Sequence, residues 1–151
     1  MWIEAAIAAL HYLSIFATFS VVMGELLLYR PVMSVETVRK IQRLDLIYLI
    51  TVILVIATGL LRAFYFGKGP EYYFSNSVFI AKLVLFGVIG ACSLPPTIHF
   101  LRWNAELKSG ASEIRILPET YVKIRRWILV EHALLVVMPI LAVLMARGVG
   151  A

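Results

Sequence analysis

Four long apolar stretches divide the chain, at about 2–29, 44–66, 76–103 and 120–146. Each is long enough to cross a bilayer, and short polar segments separate them. The first carries Glu4, His11, Thr18 and Glu25 at seven-residue intervals. A helix of 3.6 residues per turn drifts by only ~20° over that interval, so the four form one polar stripe that belongs against other helices rather than lipid. In the second stretch Tyr48, Thr51, Val55, Thr58 and Arg62 recur at steps of three and four, which predicts an inward face. The third holds Lys82, Gly87, Gly90, Cys92, Pro95, Pro96 and His99. Two adjacent prolines remove two backbone donors, so an irregular or kinked inner third is expected there. The fourth buries Glu131 and His132 in mid-span.

The connections carry their own signals. Ser34 or a neighbour is placed to cap the second helix and Ser75 or Asn76 the third, while Pro118 and Glu119 open the fourth. Gly67-Lys68-Gly69-Pro70 closes the second helix, and Tyr72, Tyr73 and Phe74 read as an interfacial aromatic belt. Residues 104–119 read as a polar loop.

Composition turns this pattern into a class. The 151 residues are 62% hydrophobic and only 15% charged, with a mean hydropathy of +0.91, so the bilayer supplies the environment that buries the apolar runs. The net charge of +5 fits cytoplasmic loops and anionic headgroups, and no nucleic-acid recognition motif is present. The first stretch lacks a basic n-region and is expected to be retained rather than cleaved. Cys92 is the single cysteine, which excludes an intrachain disulfide and leaves it a packing role. Arg30, Arg39, Lys40 and Arg43 lie in or near the first connection. Arg102, Lys108, Arg115, Lys123, Arg125 and Arg126 cluster around the third. The second connection has Lys68 and the tail Arg147. The expected fold is therefore a single all-α domain, a four-transmembrane-helix bundle with both termini on the outer side of a bacterial inner membrane.

Counting depth from those ends separates two polar layers. His11, Arg62 and Lys82 fall in the outer half; Glu25, Asp45, His99, Glu131 and His132 fall in the inner half. An ionisable group at mid-helix costs ~2.5–3.5 kcal/mol on insertion scales, so partners or a ligand are expected. Asp45 is expected to pair with Arg43 or Lys40 at the interface, Arg62 to reach the outer headgroups, and His99 to sit near Arg102 and Trp103 as an interfacial histidine. His11, Glu25 and Glu131 carry the functional expectation, with Lys82 beside them. Two chemistries suit the set. Imidazole on iron with Arg or Lys on propionates describes a heme site, whereas histidines with carboxylates describe a proton- or metal-coupled transporter. An accessory subunit of a larger membrane complex is a third reading. No c-type heme, zincin, P-loop or dinucleotide motif occurs.

Nearly the whole chain resembles the DUF2214 family of small bacterial membrane proteins. It also resembles, more distantly, the HemJ-type protoporphyrinogen oxidases, four-helix membrane proteins that bind heme b. The shared features are Ala9-Leu10-His11, the glycine of Ala57-Thr58-Gly59-Leu60, Ala81-Lys82-Leu83-Val84-Leu85, and Arg125-Arg126-Trp127 followed by Glu131. The second resemblance implies that His11 and Lys82 are essential. The leading expectation is a heme b-binding redox protein with His11 as the heme-iron ligand and Arg62 and Lys82 as the groups for propionates or the opposite axial position. His99 or His132 would serve a second heme, and Lys82, Arg62 and Glu131 would act in catalysis. The expected partners are the lipid bilayer, a porphyrin or quinone substrate and a second copy of the chain. This sequence departs from the oxidases at Pro95-Pro96 and His99, in its first connection, and after Glu131, where the family's proline is missing.

Overall fold

The computed structural model describes residues 1–67 and 69–150; Lys68, counted above with the outer connection, lies outside the described residues. Four long helices form the bundle: α1 (Trp2–Leu28), α2 (Val35–Leu61), α4 (Ser77–Lys108) and α5 (Pro118–Ala146). A π-helical segment, Arg62–Phe66, extends α2, and a short helix α3 (Pro70–Ser75) leads into α4. All four long helices have the length and apolar composition needed to cross a membrane. At ~1.5 Å per residue they outrun a ~30 Å hydrocarbon core, so their polar ends project beyond it.

The helices run up and down in a ring. α1 packs on α2, α2 on α4, α4 on α5 and α5 back on α1. The first and third connections meet at one end, where β1 (Val32–Ser34) pairs antiparallel with β2 (Glu113–Arg115) and Met33 sits opposite Ile114. Both of those side chains are buried and their neighbours exposed. The ribbon therefore straps the two helix pairs together over an apolar plug. At the opposite end Asn76 caps α4 by accepting from the backbone N–H groups of Val78 and Phe79, and its Nδ2 donates to the Val149 carbonyl at 3.2 Å. The Ser77 N–H donates to the Gly150 carbonyl at 2.9 Å, so the chain's C-terminal turn is tied to the start of α4.

The expected cap of the second helix is in place: α2 starts at Val35, before the apolar stretch begins, because Ser34 Oγ accepts from the Thr37 N–H and because Val38 and Ile41 are buried on one face. Two expectations change. Residues 104–119 are not simply a loop: α4 continues to Lys108 and the segment then supplies β2. The double proline does not break α4, which is helical throughout. Ile89, Cys92, Pro96, Phe100 and Trp103 form a continuous buried face across it. Packing on that face holds the helix where two backbone hydrogen bonds are missing.

The strap end carries one of two aromatic clusters, the other joining Phe64, Tyr73, Phe74 and Phe79 at the opposite end. Tyr29 stacks on Tyr121 with ring centroids 5.3 Å apart, and Phe100 and Trp103 complete the cluster. Arg125 Nη1 donates to the Leu26 carbonyl at 3.3 Å, which satisfies one of the open carbonyls at the C-terminus of α1. Gln42 Nε2 donates to the Phe100 carbonyl at 2.8 Å and so joins α2 to α4.

Candidate functional site

The two polar layers expected from depth counting exist as separate clusters. In the first, His11 of α1 faces Thr58 and Gly59 of α2, and its Nδ1 lies 2.8 Å from Thr58 Oγ1. The single hydroxyl proton of Thr58 is already committed, since Oγ1 donates to the Leu54 carbonyl at 2.5 Å. With that proton on Leu54, Thr58 accepts from the imidazole, and the Val55 backbone also bonds the ring. In this arrangement His11 carries its proton on Nδ1 and Nε2 is the basic nitrogen.

Gly59 lets the ring come this close, because a Cβ there would stand 3.3 Å from His11 Cε1. Arg62 and Lys82 lie within electrostatic reach of the imidazole. The Arg62 guanidinium sits 5.2 Å from the centre of the Tyr12 ring, a cation–π contact. Neither cation pairs with a carboxylate among the described residues. Arg62 opens the π-helical segment, and that wider turn ends at Gly67, where a Cβ would collide with the Arg62 carbonyl and the Tyr73 hydroxyl.

The second cluster lies toward the strap. Glu25 of α1 and Glu131 of α5 are 3% and 2% exposed, and each has one buried carboxyl oxygen without a partner. Asp45 is close enough to interact with both charges, but it is held by α4 and not by a basic residue. Thr97 Oγ1 donates to Asp45 Oδ1 at 2.6 Å, whereas Lys40 pairs with Glu36 at 2.7 Å on the exposed face of α2. The expected pairing with Arg43 or Lys40 is thus replaced by an interhelical hydroxyl, because Asp45 points into the α2–α4 seam. The Tyr48 hydroxyl is directed toward Glu131 and Ser93. The sequence put Tyr48 on the inward face but gave no role to Ser93 and placed Thr97 nowhere; two hydroxyls flanking the double proline in an apolar span were the available signal.

The other histidines do not join either cluster as a pair. Tyr29 lies just past α1 and is fully buried. Its hydroxyl shares a hydrogen bond with His99 Nε2 at 3.2 Å, while the His99 ring packs edge-on to Trp103. His132 instead packs against Phe19, with ring centroids 4.3 Å apart, and its Nδ1 is buried without a partner. Phe19 lies within α1 and Tyr29 at its C-terminal end, ten residues on, so the ring partners of these two imidazoles are about 15 Å apart in depth. Among the described residues no three His, Cys, Asp or Glu side chains converge to hold a metal ion. Glu131 likewise belongs to the carboxyl layer, away from Arg62 and Lys82.

A ring of four apolar helices with ionisable side chains turned into its core defines a polytopic integral membrane protein. The chain belongs to the DUF2214 family, described as predicted membrane proteins, whose profile matches residues 3–150. No curated protein and no solved structure matches it.

Proposed function

We propose that the protein is a heme b-binding redox protein of the bacterial inner membrane, with His11 Nε2 as the iron ligand. The Thr58 contact supports this reading: it favours the Nδ1–H form of the imidazole, in which Nε2 is the nitrogen that a metal requires. Arg62 and Lys82, two cations without carboxylate partners beside that imidazole, suit the propionates of the same group. Lys82 would also offer the group a further nitrogen on that side of the bundle. His99 is not assigned, because its Nε2 is engaged by Tyr29, and His132 is not assigned, because it lies against Phe19 in another layer.

Bound there, heme would supply one-electron chemistry at a potential set by its ligand and surroundings. The chain's own contributions follow from its geometry. Thr58 holds the ring orientation and Gly59 admits the ring, Arg62 and Lys82 balance negative charge, and the surrounding apolar helices exclude water. A metal-coupled transporter is disfavoured by the dispersed donor set.

Protein purified in detergent after expression with ample heme should show a Soret band that His11→Ala removes and Lys82→Ala weakens. Wild-type protein without a Soret band overturns the assignment. Oxidation of a porphyrinogen, as in the HemJ-type enzymes, is the proposed reaction. Deleting the gene should then cause porphyrin to accumulate until an unrelated protoporphyrinogen oxidase is supplied. Unchanged porphyrin in a strain whose protein does bind heme points to electron transfer with another substrate, such as a quinone.

A further inference from the structure

We infer that Glu25 and Glu131 form a second site, a binding site for a small monovalent cation (a proton or an alkali ion) at the centre of the bundle. This inference is independent of the heme assignment. Both residues are at least nine-tenths buried, on neighbouring helices, and each presents one carboxyl oxygen that touches no donor. Two bare carboxylates in a water-poor interior are strongly disfavoured, so the position calls for positive charge on or between them.

The surrounding groups do not supply that charge. From α2 come Asp45, already bonded to Thr97, and Tyr48, directed at Glu131. α4 contributes Cys92, Ser93 and Thr97, and α5 contributes Glu131 itself with the neighbouring His132, whose buried Nδ1 is also unpartnered. Arg125, earlier on α5, donates to the Leu26 carbonyl, and neither it nor Arg126 nor Arg30 makes an ion pair with Glu25 or Glu131 among the described residues. Carboxyl and hydroxyl oxygens are hard donors, suited to a proton or an alkali ion. The lack of a three-ligand cluster among the described residues argues against a divalent metal.

Dicyclohexylcarbodiimide tests this on the wild-type protein in detergent, since it reacts with protonated carboxyls in apolar surroundings and its adducts are located by peptide mass spectrometry. The expected result is labelling at Glu25 or Glu131 that slows as pH rises, by up to about tenfold per pH unit once the proton is leaving. If sodium or potassium slows it further at fixed pH while choline does not, the occupant is the alkali ion. If pH alone controls it, the occupant is the proton. Glu25→Gln should lower total labelling of the layer and leave the heme spectrum unchanged. Labelling of exposed acids such as Glu4 with none at Glu25 or Glu131, or labelling at these two that responds to neither pH nor cations, overturns the inference.

Discussion

At the scale of single residues, the most consequential contact is the one between His11 and Thr58. Its direction follows from hydroxyl arithmetic: one proton, already given to Leu54, leaves Thr58 an acceptor. Thr58→Val removes that acceptor at nearly constant volume and should lower heme retention by ~10–100-fold, whereas Thr58→Ser should retain it; titration of the Soret band against added heme measures both. Gly59→Val tests the same ring sterically. Its Cβ would start 3.3 Å from Cε1 and its methyls would reach further, so the ring must leave the Thr58 hydroxyl. A loss of ~1–3 kcal/mol in thermal stability should accompany the lost Soret band. The grouping of His11, Arg62 and Lys82 was legible from the sequence, since depth counting needs only span ends and a rise per residue. The Asp45–Thr97 bond was not. Adjacent Arg43 and Lys40 offered Asp45 local partners, and only the packing of α2 against α4 shows that its side chain turns inward.

At the scale of elements, the long helices were readable because their apolar runs exceed anything a soluble fold requires. The strap was not, because three-residue strands with one buried side chain each carry too short an alternation to stand out. The polar first turns of α2 were legible only through the Ser34 cap, because Glu36, Arg39, Lys40 and Arg43 lie beyond the apolar stretch and cover only the exposed face. The cap of α4 offers a test at this scale. Asn76 serves two purposes, with Oδ1 accepting from α4 and Nδ2 reaching Val149. Asn76→Asp keeps the first and loses the second; Asn76→Ala loses both. Thermal unfolding in detergent should rank wild type above Asp and Asp above Ala, with ~0.5–2 kcal/mol for the cap itself. Equal loss in both variants would assign the stabilisation to the Val149 tether alone.

At the scale of the whole molecule, the strap supplies an argument about topology that the four spans alone do not. Because β1 pairs with β2, the first and third connections share one end of the bundle, and these connections and their flanks carry ten of the basic residues named above. The other end holds the N-terminus, the turn around Gly67 and the residues that close on Val149 and Gly150. Short loops rich in Lys and Arg are retained on the cytoplasmic side, so the strap should face the cytoplasm and both termini the outside. Single cysteines introduced into a Cys92→Ala background report this directly, Cys92 itself being buried. Ser112→Cys, beside the strap, should resist a membrane-impermeant maleimide in intact cells and react after the membrane is opened. Glu71→Cys, at the start of α3, should react in both. If Ser112→Cys is the one labelled in intact cells, the bundle is inverted. His11 and its cations would then lie toward the cytoplasm, a porphyrin made there would approach from that side, and Glu25 and Glu131 would draw their cation from the outside.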